Sequence, residues 1–297
     1  MNAELPEAVS WRSLLDSLPA ADLARRPCLV VTDFDGTISR IGLDPWGARI
    51  VPRAQRAQRR LAATPGVVVV ILSGRTAPDV AGRVRVGGAT YLGNHGLETG
   101  YLPRRARAER IVVAADPAHD GFSADAERLA VEVPAAIGEP WIIVERKPPA
   151  VTFWFRTAPD TAAAGRRVRE VVDRLDPTAR FERFPGRRAL ELRPPGATAK
   201  RDAFATLLLE LRPALVVLIG DDRSDAEAFA VLRAARQDGR LRGLAVAVHA
   251  HPEVSPAVAA EADAMLASPD ATASFLAGLC RALASAAAPG RRPGRPG

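Results

Sequence analysis

The chain has 297 residues, of which 47 % are apolar and 25 % charged, and its net charge is +7. That balance supplies a buried core and excludes wholesale disorder, and no apolar run approaches the length that spans a bilayer. The basic excess is scattered arginine, aromatics are only 5 %, and neither a helix-turn-helix nor an RNA-binding sheet pattern is present. Specific nucleic-acid binding is therefore set aside in favour of a solvated surface with some attraction for anionic small molecules.

Residues 1–26 read as a helical lead-in that is acidic before it is basic and lacks an apolar stretch, so no secretory signal is expected. The two cysteines, Cys28 and Cys280, lie at opposite ends of the chain, and a reducing cytoplasm suits them best. CLVVTDFDGT reads as a buried strand that stops in a polar turn. Pro52 to Ala63 forms a helical pattern, GVVVVILSGR a second buried strand, TAPDVAGRV the start of a helix, and ATYLGNHGLE a short strand with a Gly-rich turn. Continuous apolar strands alternating with helices predict a parallel sheet covered on both faces.

The pattern changes near Thr99. A helix at Ala124 to Ile137, the strands WIIVERK and AVTFWFR, a helix at Thr161 to Leu175 and the strands ARFERF and ALELR predict a small α+β insertion over 99–193. The first pattern then returns, with the helix TAKRDAFATLLLELR, the strand ALVVLIGDDRSD, the helix DAEAFAVLRAARQ, the strand GLAVAVHA and a last helix near Ala271 to Leu283. The expected organisation is an α/β, Rossmann-like core over 27–98 and 194–288, an α+β cap over 99–193, and a disordered basic tail over 289–297.

Ligands of parallel sheets sit beyond the carboxyl ends of the strands, and three strands here end in polar groups: DFDGT, SGR and GDDRSD. Asp33 and Asp35 repel unless they share a cation or one holds a proton. Asp221, Asp222 and Asp225 add carboxylates of the kind magnesium takes. GDDRSD alone reads equally well as a turn, with Ser224 capping the next helix. The hydroxyls of Ser73 and Thr37 suit phosphoryl oxygens. Only two of the 41 basic residues are lysine, Lys147 and Lys200. Lys200 opens a helix, where an ammonium opposes the dipole unless it faces anions.

DFDGT, Ser73, Lys200 and GDDRSD, in that order, resemble the four motifs of the haloacid dehalogenase superfamily of phosphatases, and the insertion resembles the cap of its sugar-phosphatase branch. Within that branch SGR with Arg75, LGNHGLE with Asn94 and His95, VERK with Glu145 and Lys147, ELRP with Glu191, and GDDRSDAEAF resemble the trehalose-6-phosphate phosphatase family. The resemblance implies Asp33 as nucleophile and Asp35 as acid/base. It implies Mg2+ on Asp33, the Asp35 carbonyl and Asp221, anchored by Asp225 and Asp222, with Ser73 and Lys200 on the phosphoryl group. Glu145, Lys147 and Glu191 would hold the sugar hydroxyls under a closing cap, and Thr37, Arg75, Asn94 and His95 would line the substrate. The implied reaction releases trehalose and phosphate through an aspartyl-phosphate, with a separate trehalose-phosphate synthase as a working partner. Alternatives are another sugar phosphate, such as sucrose phosphate or a mannosyl- or glucosyl-phosphoglycerate, or a non-catalytic partner of the synthase. Two departures stand out: Trp154 occupies the strand in which the family carries a small or polar residue and a histidine, and Ser224, Asp225 and Ala226 replace the usual Thr-Asp-Glu.

Overall fold

The computed structural model describes residues 7–115, 117–237, 239, 241–250 and 256–287; the tail and the first six residues lie outside the described part. An eight-stranded sheet forms the core. Its strands are β1 (Cys28–Thr32), β2 (Val67–Leu72), β3 (Ala89–Gly93), β4 (Glu98–Leu102), β5 (Val112–Ala115), β10 (Leu215–Gly220), β11 (Arg242–Val248) and β12 (Ala264–Leu266), in the spatial order β12-β11-β10-β1-β2-β3-β4-β5. All are parallel except β4 and β5, which add an antiparallel edge.

Side chains alternate across this sheet, as the two-residue period of a strand requires. Cys28 and Val30 of β1 join one apolar cluster with α3 (Pro52–Ala63), α4 (Ala77–Val84) and α10 (Pro269–Ala287). Leu29 and Val31 join another on the opposite face with α7 (Lys200–Leu211) and α8 (Arg223–Gln237). Burial on both faces is why these strands read as unbroken apolar runs. The lead-in contributes α1 (Trp11–Asp16) and α2 (Ala20–Leu23), and α9 (Pro256–Glu261) precedes β12.

The second unit is a four-stranded antiparallel sheet in the order β6-β7-β9-β8, formed by β6 (Ile143–Lys147), β7 (Ala150–Trp154), β8 (Glu182–Gly186) and β9 (Ala189–Arg193). Helices α5 (Ser123–Ile137) and α6 (Thr161–Leu175) cover its apolar face, which carries Val151, Phe153, Leu190 and Leu192. The architecture is thus an α/β core interrupted by an α+β cap. The sequence opened that cap at Thr99, whereas β4 and β5 pair into the large sheet. β4 is buried only at alternate residues and β5 is exposed throughout, so this edge lacks the apolar signature of the interior strands.

Register aligns the strand ends. Thr32 lies level with Ile219 on one side and Ile71 on the other, and Leu72 lies level with Leu92. The residues that follow, Asp33, Asp221, Ser73 and Asn94, therefore emerge along one rim. Among the described residues no helix is long and apolar enough to cross a membrane.

Candidate active site

The Asp33 amide donates to the Ile219 carbonyl (2.9 Å), which carries the β1–β10 ladder one step past the strand. The chain then turns sharply, with the Ile38 and Ser39 amides both donating to the Phe34 carbonyl. Gly36 sits in this turn at φ +84°, and a Cβ there would fall on the Asp221 carboxylate. Glycine is required by both the backbone angle and the space.

Asp33, Asp221 and Asp225 each offer an oxygen, and these oxygens lie within 4.8 Å of one another. All three carboxylates are buried, as is Lys200, whose Nζ donates to Asp33 Oδ1 (2.7 Å) and Asp225 Oδ1 (2.9 Å). Asp225 Oδ2 also accepts from the Asp221 and Asp222 amides (3.0 and 3.1 Å), so the start of α8 is tied to the end of β10. Thr37 Oγ1 donates to Asp221 Oδ1 (3.2 Å).

Burial raises Asp33 to about 6; Lys200 opposes the rise, and the Asp222 and Asp35 charges add to it. Burial, reinforced by the Asp33 charge, holds Asp221 well above the usual carboxylate range. Burial does the same to Asp225, with Lys200 opposing. Burial disfavours the Lys200 ammonium, but Asp225 and Asp33 outweigh it and keep it charged. Three crowded carboxylates with one ammonium carry excess negative charge, and a hard divalent cation would relieve both the desolvation and the repulsion. The all-oxygen donor set fits magnesium.

Of the carboxylates expected on the metal, Asp222 falls outside this cluster. Asp222 is exposed, and its Oδ1 accepts from Ser224 Oγ (2.7 Å) and from the Asp225 amide (3.1 Å), so it caps α8. The Asp35 carboxylate is gripped by Arg75 in a fork, Nε to Oδ2 at 2.6 Å and Nη2 to Oδ1 at 3.0 Å. Arg75, expected on the substrate, also donates to Asp79 (3.0 Å) and the Pro45 carbonyl (2.7 Å). Ser73 Oγ accepts from the Arg75 amide (3.2 Å).

The cap closes over this rim with its charged face. Lys147 Nζ donates to the Gly74 carbonyl (2.8 Å) and pairs with Glu191 Oε1 (2.6 Å), while Asn94 Nδ2 donates to the Lys147 carbonyl (3.0 Å). Arg193 Nη2 donates to Glu191 Oε2 (2.7 Å) and meets His95 Nε2 at 2.8 Å; that ring nitrogen lies 3.1 Å from Glu191 Oε2. Asn94 and His95 thus touch cap residues. Burial pushes the His95 imidazole down to about 4 despite Glu191. Burial opposes the Glu191 charge, but Lys147 and then His95 hold it well below the usual range. Glu145 Oε2 accepts from Trp154 Nε1 (3.0 Å).

Three cap residues at the junction escaped the sequence reading. Arg187, in the β8–β9 turn, brings Nη2 to 3.8 Å from Asp221 Oδ2. Arg156 donates to the Gly42 carbonyl (2.9 Å) and stacks on Trp154 at 4.1 Å, and Arg193 holds Glu191. In a chain this rich in arginine, nothing local separates them from solvated neighbours; Arg193, two positions after Glu191 on one strand face, carried the only signal.

A family model described as trehalose-phosphatase matches residues 31–265, which include every group above. The chain belongs to the trehalose-phosphatase family. This family member is 32 % identical over 245 residues to the trehalose-phosphate phosphatase of Mycobacterium tuberculosis, an alignment covering 77 % of the chain and 56 % of that protein. It is 35 % identical over 236 residues to an uncharacterized glycosyl hydrolase of the same organism, covering 77 % of the chain but 17 % of the relative. The chain thus spans about half the length of the first and under a fifth of the second.

Among solved structures, the family member resembles the C-terminal domain of Candida albicans trehalose-6-phosphate phosphatase, with a TM-score of 0.70 and 22 % identity over 95 % of this chain and 99 % of that one. It also resembles the C-terminal domain of the Candida albicans trehalose synthase regulatory protein, with a TM-score of 0.61 and 12 % identity over 93 % and 99 %. At these identities the likeness shows the fold alone.

Proposed function

We propose that this chain hydrolyses trehalose 6-phosphate to trehalose and phosphate, with Asp33 as nucleophile and Mg2+ as cofactor. The observation that carries the reading is the clustering of buried Asp33, Asp221 and Asp225 with Lys200, on a rim where Lys147 and Glu191 of the cap meet Gly74 and His95. Family membership supports the substrate. A regulatory protein shares the fold, so the retained carboxylates and lysine, rather than the fold, favour catalysis over a non-catalytic role.

Asp33, Asp221 and Asp225 would hold the cation, which when bound neutralises phosphoryl charge and lowers the carboxylates into their ionised form. Asp33 attacks phosphorus in line and the ester bond breaks. Asp35 gives its proton to the departing sugar oxygen and then takes one from the water that splits the aspartyl-phosphate, restoring Asp33. The Arg75 fork occupies both Asp35 oxygens and has to open before Asp35 takes up and transfers that proton. Lys200 and the Ser73 hydroxyl supply donors to the phosphoryl oxygens. The cap carboxylates accept from sugar hydroxyls and Lys147 donates to them. A separate trehalose-phosphate synthase is the expected source of substrate.

The test is phosphate release with Mg2+ across trehalose 6-phosphate, sucrose phosphate and the phosphoglycerate glycosides. Trehalose 6-phosphate should give the highest kcat/KM, and Asp33→Asn should abolish turnover. Preference for another ester overturns the substrate, and an active Asp33→Asn variant overturns the mechanism.

A further inference from the structure

The cap sheet carries one more polar group that the reaction scheme above leaves unused. Glu145 of β6 lies directly opposite Thr152 of β7, and Thr152 lies directly opposite Glu191 of β9. Residues facing each other across an antiparallel ladder project from the same face, with Cβ atoms about 5 Å apart. Thr152 therefore stands at the centre of a row with Glu145 on one side and Glu191 on the other, on the face opposite to Val151 and Phe153, which pack in the cap core.

Every neighbour in that row is engaged. Glu145 accepts from Trp154 Nε1, and Glu191 is held by Lys147, Arg193 and His95. The Thr152 side chain is 3 % exposed, yet its Oγ1 is buried without a hydrogen-bond partner. A buried hydroxyl left unpaired carries an uncompensated desolvation cost, so a fold retains one where something else satisfies it. Alanine or valine would pack at this position without that cost. The hydroxyl also adds what the flanking carboxylates lack, since it can both donate and accept.

We propose that Thr152 is a further specificity-determining residue, its hydroxyl bonding the leaving sugar between Glu145 and Glu191, with Trp154 fixing the Glu145 carboxylate beside it. The inference rests on the sugar-phosphatase reading of the preceding section, although not on which sugar is preferred. Trp154 ties the row to a second element: its indole donates to Glu145 while Arg156 stacks on its ring and reaches the Gly42 carbonyl of the core. The sugar would thus meet a wall built from both units.

The experiment compares wild type, Thr152→Val and Thr152→Ser on trehalose 6-phosphate and on p-nitrophenyl phosphate, which lacks the sugar. Valine keeps the shape and removes the hydroxyl; serine keeps the hydroxyl. The ratio of kcat/KM on the sugar phosphate to that on p-nitrophenyl phosphate should fall about threefold to tenfold in Thr152→Val, mainly through KM, and return to within about twofold of wild type in Thr152→Ser. Thermal unfolding should show Thr152→Val at least as stable as wild type. An unchanged ratio in Thr152→Val, or equal losses in both variants, overturns the proposal. If wild type prefers another sugar phosphate, the reading of the preceding section fails and Thr152 is judged by the same ratio on that ester. Turnover of p-nitrophenyl phosphate without any sugar phosphate overturns both.

Discussion

At Lys200 a full positive charge is buried against two carboxylates and a third lies close by. Removing one partner of such a group leaves uncompensated charge, which costs about 3–5 kcal/mol. Lys200→Ala should lose roughly that much in urea unfolding without divalent cation, recover part of it with Mg2+, and lose at least about 100-fold in kcat. A variant as stable as wild type would show that the carboxylates accommodate one another without the ammonium. This residue was legible in the sequence because lysine is rare in the chain and stands at a helix start that disfavours it. Asp33 and Asp221 were legible because each follows an unbroken apolar run. Arg187 was not: its significance depends on a turn that meets Asp221 only after the cap folds down, and no short-range pattern records that meeting.

At the scale of elements, the interior strands announced themselves through burial on both faces, and the cap helices through their apolar spacing. The edges did not. β5 is exposed at all four residues and β12 is three residues long, too little for either period to register. The start of α8 gives a sharper case, because GDDRSD offers both a candidate metal ligand and a cap, and the sequence could not say which aspartate was which. The hydrogen bonds divide them: Asp222 serves the helix and Asp225 the cluster. Asp222→Ala should therefore cost about 1 kcal/mol of stability and leave the Mg2+ titration midpoint of activity within about twofold. Asp221→Asn should move that midpoint at least about tenfold. Equal shifts in the two variants would return Asp222 to the metal.

For the whole molecule, the junction of core and cap contributes a response to acid through His95. His95 is held on a left-handed backbone, φ +61°, and its ring packs so closely on Gly74 that a Cβ there would come within 2.8 Å of it. Because the folded imidazole titrates near 4, the unfolded chain takes up the proton first as pH falls below about 6.5. Stability from this group is complete above that pH and is lost on acidification toward 4, amounting to about 3 kcal/mol. Urea unfolding at pH 7 and pH 4.5 should show wild type losing about that much more than His95→Asn, a substitution the left-handed backbone tolerates. Equal losses would place the acid sensitivity elsewhere.

Among the described residues the three apolar clusters keep to their own territories, two in the core and one in the cap, and none bridges the units. Polar contacts join core to cap: Lys147 to Gly74, Asn94 to Lys147, Arg156 to Gly42, Arg187 to Asp221 and His95 to Glu191. Parting the two units therefore uncovers little hydrocarbon, and the heat-capacity change that accompanies apolar hydration should be close to zero. The open fraction should then follow a straight van 't Hoff line on warming, while unfolding of the same chain curves steeply. Hinge and melt would obey different thermodynamics within one molecule.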